Sequence, residues 1–369
     1  MSRGFHPIEI DDVFAAWVGY LKSTQSGIQG GAIFLSQLPD CCATKKSTEN
    51  SCASRIKYIQ RIILDDTFCL SSSNPSFSYA KTDDDEQNVK DFNICGLQQS
   101  GVNFDFRKIV SGLLLRVQVA AQISDEALHL AVTYMDRFIW LHETDPPGFE
   151  TMAHGALWLA VKVLTPETPI TCPLMKVMTS GCLTVEEIED WTEHLRLTLG
   201  PNLHYPTPHS YLINFLKQCD DFPACHTKLF TMVCHYLLDL GLMEYDLARR
   251  PAYLRCAAVI YFLRRLLRCT GYVFGGSPFQ HQYCALEYWP VGMVKYTRCQ
   301  ADNNLYETAL VYGNLLEETK KYQQQCAQIP LILMPILEKY MDCAYDRVAA
   351  NSLMTEFELD QVMCPKEVE

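Results

Sequence analysis

The chain has 369 residues, 48% hydrophobic and 20% charged, an ordinary globular composition long enough for two domains. Its 43 acidic and 31 basic residues leave a formal charge of −12, which argues against nucleic-acid binding, since that needs Lys and Arg to neutralise phosphates. A membrane span is excluded too, because the two longest apolar runs, 109–121 and 153–164, are interrupted by Arg116 and Lys162.

Two features point to an intracellular setting. Residues 1–20 carry Glu9, Asp11 and Asp12 where a secretion signal would hold its apolar core. The 17 cysteines are odd in number and irregularly spaced, with no C-x-x-C pair, which predicts reduced thiols and not a disulfide framework. The nearest metal-like grouping is Cys219, Cys225, His226, Cys234 and His235. Its spacing matches no zinc module, so no metal or other cofactor is expected.

Residues 1–104 read as an extension. Val13, Phe14, Trp17 and Leu21 give 11–22 one apolar helical face, and Ile56, Ile59, Ile63 and Leu64 give 53–68 another. Residues 70–100, with the polar runs 71–75 and 81–86, read as loop or linker. Asp105 then caps a helix running from Phe106 to Val119, and Ser124 caps the next, with Asp125 and Glu126 at the positive end of its dipole. Pro146 and Pro147 stop it, and a third helix covers 151–164. A short helix fits near 173–180. The Thr184–Glu187 spacing is a capping box, and Gly200-Pro201 closes that helix. Thr207-Pro208 opens a second series, with helices at 208–219, 225–240 and 251–268, stopped by Gly241 and Gly271. Further helices fit 302–321 and 331–340. Strand alternation is nowhere sustained. The prediction is all-α, in two bundles of similar size.

One stretch is especially distinctive: Leu128-His129-Leu130-Ala131-Val132, then Tyr134, then Asp136-Arg137-Phe138. It is helical and nearly apolar all round, yet it ends in adjacent charges that need partners or a working edge. This stretch resembles the second helix of the cyclin box of A/B-type cyclins. Other segments resemble the same family in order. They are 106–114, the Ala156-Leu157-Trp158-Leu159-Ala160-Val161-Lys162 helix, the Leu203-His204-Tyr205-Pro206-Thr207-Pro208 hinge, 250–258, and Leu337-Glu338-Lys339-Tyr340. The resemblance covers about 105–350. It implies two tandem five-helix cyclin folds, a box at 105–205 and a C-terminal fold at 206–345, with a tail at 346–369.

The resemblance also implies a function. Cyclins are non-catalytic and press a kinase's mobile helix inward, completing its Lys–Glu pair. The partner implied is a cyclin-dependent Ser/Thr protein kinase, together with kinase substrates or inhibitors, in the nucleus or cytoplasm and in cell-cycle control. The family's kinase-contacting Lys matches Lys162, which by chemistry alone reads as a snorkelling Lys at a helix end. Its companion Glu falls at Thr192 without gaps, at Glu193 with a one-residue shift, or at Glu189 one turn earlier. Arg107 and Asp136 match two charges that brace the box. The docking patch for Arg-x-Leu motifs matches Phe106, Ile109, Val110 and Leu113, with Arg116 in place of an acidic residue and Glu150 nearby. A cationic Arg116 should repel such a motif; read without the resemblance, the apolar four are first-helix core residues. Arg61-Ile62-Ile63-Leu64 fits the letters of a degradation signal.

Alternatives stay open. The fold could serve an adaptor without a kinase, or a degenerate cyclin that binds partners without activating one. The common enzyme motifs are phosphate loops, G-x-S-x-G and H-E-x-x-H. None occurs in a credible context, so no catalytic residues are expected.

Overall fold

A computed structural model describes residues 104–142, 146–180, 183–219, 228–270, 288–324 and 333–364. The two helices and linker expected before residue 104, and the Arg61–Leu64 motif, lie outside the described residues. Helices α1 (Phe104–Ala121), α2 (Asp125–Leu141), α3 (Pro146–Leu164), α4 (Pro173–Met178) and α5 (Val185–Leu199) make the first bundle. The second holds α6 (Pro208–Lys217), α7 (Lys228–Leu242), α8 (Tyr245–Ala248), α9 (Ala252–Thr270), α10 (Val291–Thr297), α11 (Asn303–Gln324) and α12 (Met334–Met341). Five of these, α6, α7, α9, α11 and α12, are its principal helices. There is no strand among the described residues, and none of their helices is long and apolar enough to cross a membrane.

Local chemistry sets the helix starts. The Ser124 side chain accepts from the Ala127 N–H at the start of α2. Thr184 and Glu187 form a reciprocal capping box for α5. Thr207 and Ser210 do the same for α6, with Pro208 at its first position. At the far end of α5, Gly200 adopts φ 85°, a conformation other residues enter only with strain.

Four boundaries differ from expectation. Helix α1 begins at Phe104, so Asp105 lies inside it and not at a cap. Pro146 and Pro147 open α3 instead of ending α2, because a proline in a first turn removes no helical hydrogen bond. Helix α7 runs through Gly241 to Leu242. Gly241 is there for closeness: an added Cβ would lie 2.7 Å from a Tyr312 ring carbon. Lastly, residues 346–364 pack instead of trailing. Val348, Leu353, Met354, Leu359 and Val362 are buried, in short helices at Ser352–Thr355 and Leu359–Val362. Arg265 on α9 binds the Val362 and Cys364 carbonyls at 2.8 Å each.

Each bundle is built around a helix buried on all sides. In the first it is α3, with every residue from Met152 to Ala160 buried, packed between α2 and α5. In the second it is α9, packed on α6, α7 and α11. Helix α12 returns to pack on α1, so the buried apolar side chains form one continuous cluster across both bundles.

Candidate functional site

Lys162 sits in the last turn of α3, where a cation meets the negative end of the helix dipole. Its Nζ donates to the Thr168 carbonyl at 3.3 Å and lies 4.8 Å from the centre of the Trp158 ring. Trp158 is fully buried and donates its indole N–H to Glu189 Oε1 on α5 at 2.9 Å. Lys162 and Glu189 therefore flank one tryptophan, both half-buried. Glu193 is exposed one turn further along α5, in a two-point pair with Arg196 at 2.6 and 2.7 Å. Thr192, the ungapped counterpart, is buried and donates to the Ile188 and Gly155 carbonyls. It offers nothing to a partner. Large apolar side chains stand exposed on the same packed group of elements: Leu164 ending α3, Ile170 in the loop after it, and Leu197 one turn beyond Glu193.

The close approach of α3 and α5 depends on Gly155. A Cβ there would fall 2.8 Å from the Trp191 Cβ and 3.1 Å from the Thr192 backbone nitrogen.

Arg107 and Asp136 form a buried two-point ion pair at 2.6 and 2.7 Å. The remaining Arg107 nitrogen, Nη1, donates to the Leu242 carbonyl on α7 at 2.9 Å. Burial alone would lower the Arg107 pKa, but Asp136 outweighs it and raises it. The pair thus joins α1, α2 and the second bundle.

In the candidate docking patch, Phe106 and Val110 are buried, while Ile109 and Leu113 are half-buried. Phe106 packs its ring 5.8 Å from that of Phe149. Arg116 turns to Glu338 on α12, with Nε–Oε2 at 3.2 Å. Glu150 is buried with no hydrogen bond to its Oε1 among the described residues, and burial pushes its carboxyl up to about 8.

A larger polar centre escaped the sequence reading. Lys339 on α12 is fully buried and binds Asp125 on α2 and Asp239 on α7, each at 2.7 Å. His129 Nε2 is 3.0 Å from Asp239 Oδ1, and the Tyr340 hydroxyl donates to Asp239 Oδ2 at 2.9 Å. Burial alone would raise both carboxyls, but Lys339 foremost and the histidine hydrogen bonds hold Asp125 well below and Asp239 below the ordinary value. His209 and His235 close on the second oxygen of Asp125. His235 had been grouped with Cys219 and Cys234; those thiols are buried in the second bundle instead. Among the described cysteines seven are free, and Cys343 is disulfide-bonded. A Lys and an Asp within apolar helical patterns, Lys339 and Asp239, are the one local signal of this centre.

Sequence comparison now decides the family. The family model for the cyclin N-terminal domain matches residues 76–204, and that for the cyclin C-terminal domain matches 206–327. The chain belongs to the cyclin family. The N-terminal match begins inside the stretch read as linker. Among curated relatives, the G2/mitotic-specific cyclin cig2 of Schizosaccharomyces pombe is 29% identical over 174 residues, 46% of this chain and 40% of that protein. The G2/mitotic-specific cyclin cdc13 of the same organism is 28% identical over 173 residues, 46% of this chain and 34% of that protein. The putative cyclin-A3-1 of Arabidopsis thaliana is 23% identical over 265 residues, 71% of this chain and 66% of that protein. The match to the two Schizosaccharomyces cyclins spans less than half of their length. The molecule is a divergent cyclin with two tandem all-α cyclin domains.

Proposed function

We propose that this cyclin is the activating regulatory subunit of a cyclin-dependent Ser/Thr protein kinase, without catalytic groups of its own, acting in cell-cycle control. The observation that carries the reading is Lys162, held half-exposed at the end of α3 against Trp158, with Glu189 on the other side. A cation and a carboxylate on two packed helices, with Leu164, Ile170 and Leu197 exposed on those helices and the loop after α3, suit a partner helix with polar ends and an apolar flank. Pressing the kinase's mobile helix inward would order its Lys–Glu pair, which phosphoryl transfer requires. Glu189 is the better companion to Lys162, because Thr192 is buried and Glu193 is engaged by Arg196. Arg107 and Asp136 serve the box as a brace.

Mixing the purified chain with a monomeric, inactive cyclin-dependent kinase tests this. Complex formation with phosphorylation of a histone-type substrate is expected. The Lys162→Ala variant should keep its circular dichroism and lose most of the activation; unchanged activation would place the interface elsewhere. A second reading, a degenerate cyclin that binds without activating, is favoured by the buried Thr192 and by Arg116 at the docking position. Binding without phosphorylation would select it.

A further inference from the structure

Three donor atoms converge where the two bundles meet. His209 Nε2 on α6 lies 2.8 Å from His235 Nδ1 on α7. Asp125 Oδ2, at the first position of α2, lies 3.1 Å from His235 Nδ1 and 3.7 Å from His209 Nε2. We propose that these three side chains bind one divalent ion of the zinc class and so fasten the first bundle to the second. The site uses none of Lys162, Glu189 and Glu193 and does not depend on their role.

Geometry is the first argument. Tetrahedral zinc holds nitrogen and oxygen donors at about 2.0–2.1 Å, which places neighbouring donors about 3.3 Å apart. The observed sides scatter around that separation. A circle through the three atoms has a radius of about 1.9 Å by these sides, so an ion slightly above their plane reaches all three at zinc distance. Two imidazoles and one carboxylate are a zinc-type donor set with a fourth position left over. The Asp125, His209 and His235 side chains are 16, 7 and 9% exposed, enough for a water there.

Protons satisfy the same triangle only in part. A nitrogen–nitrogen contact of 2.8 Å needs one protonated and one bare nitrogen. If His209 carries the proton, the bare His235 nitrogen faces the Asp125 oxygen lone pair against lone pair. If His235 carries it, one N–H must serve both neighbours while bare His209 faces the carboxylate. With both protonated, two hydrogens collide. A cation satisfies all three contacts together.

The surroundings fit an ion. Lys339 holds the other Asp125 oxygen at 2.7 Å, and Gln118 Nε2 reaches it at 3.0 Å, fixing Oδ2 toward the triangle as outer partners of metal ligands do. Two carboxylates, Asp125 and Asp239, face one ammonium, leaving one negative charge over.

The test is optical, on the full chain under reducing conditions after chelation. Titration with Co2+ should give the intense visible bands of a tetrahedral site at one equivalent, with no thiolate charge-transfer band, displaced by Zn2+. His235→Ala should weaken binding tenfold or more, as should His209→Gln, which keeps a polar side chain if the first variant misfolds. Zn2+ should also raise the melting temperature of the wild type and of neither variant. Absence of the bands in the wild type, a thiolate band in their place, or equal binding in a folded variant would each overturn the proposal.

Discussion

Lys339 is the one cation that the two buried carboxylates of the joint share. It neutralises Asp125 and Asp239, so Lys339→Met should strand two buried carboxylates and cost about 3–5 kcal/mol in denaturant unfolding. Arg116→Ala removes the neighbouring but partly exposed pair with Glu338 and should cost no more than about 1 kcal/mol. Equal losses would mean that burial is not what sets the difference. Glu150 makes a prediction of the opposite kind. Its carboxyl is pushed up to about 8 from an ordinary 4.5. Between those values the unfolded chain gives up the proton first, so stability from this group falls as pH rises. Glu150→Gln cannot ionise and should gain on the wild type from pH 5 to pH 8; melting curves across that interval read the effect. In the sequence Arg116, Asp136 and Lys162 stand out as charges that interrupt or end an apolar helical pattern, and Arg107 is marked only by the family resemblance. Asp125 and His235 look unremarkable in sequence: one reads as a first-turn acid, the other as a cysteine's neighbour.

Helix pairs decide where those charges meet. Helices α3 and α5 approach at Gly155, where a methyl group would strike Trp191 and the α5 backbone. Gly155→Ala should destabilise by about 1–3 kcal/mol and, by parting the two helices, should also weaken kinase binding through the displaced Lys162 and Glu189. A substitution that lowers the melting temperature but leaves binding intact would mean that the interface tolerates the shift. Most helices were legible from caps and apolar spacing: Ser124, Thr184 and Thr207 each start a helix where their side chains predict. Local rules misplace Asp105, the prolines at 146 and 147, and Gly241, and they leave the packing of 346–364 unread. Pro146 opens a helix and Gly241 lies inside one, because a first turn tolerates proline and Tyr312 needs the space beside Gly241.

The two bundles share one apolar core and one buried ionic joint. Arg107 crosses between them through the Leu242 carbonyl, and α12 crosses back to α1. Thermal unfolding should therefore show a single transition by fluorescence and by circular dichroism. Lys339→Met, by weakening the joint, should separate it into two; coincident curves in that variant would mean that the apolar contacts suffice.

The family, the all-α class and the order of helices could be read from the chain alone, since spacing, caps and motifs are local properties. So could the place of Lys162 at the end of α3, because that pattern lies within one helix. Which of Thr192, Glu193 and Glu189 shares Trp158 with Lys162 could not, because the three differ only in which way α5 faces. Nor could the joint of Asp125, His209, His235, Asp239 and Lys339. Its members stand up to 214 residues apart, and their chemistry arises only when two bundles fold and pack.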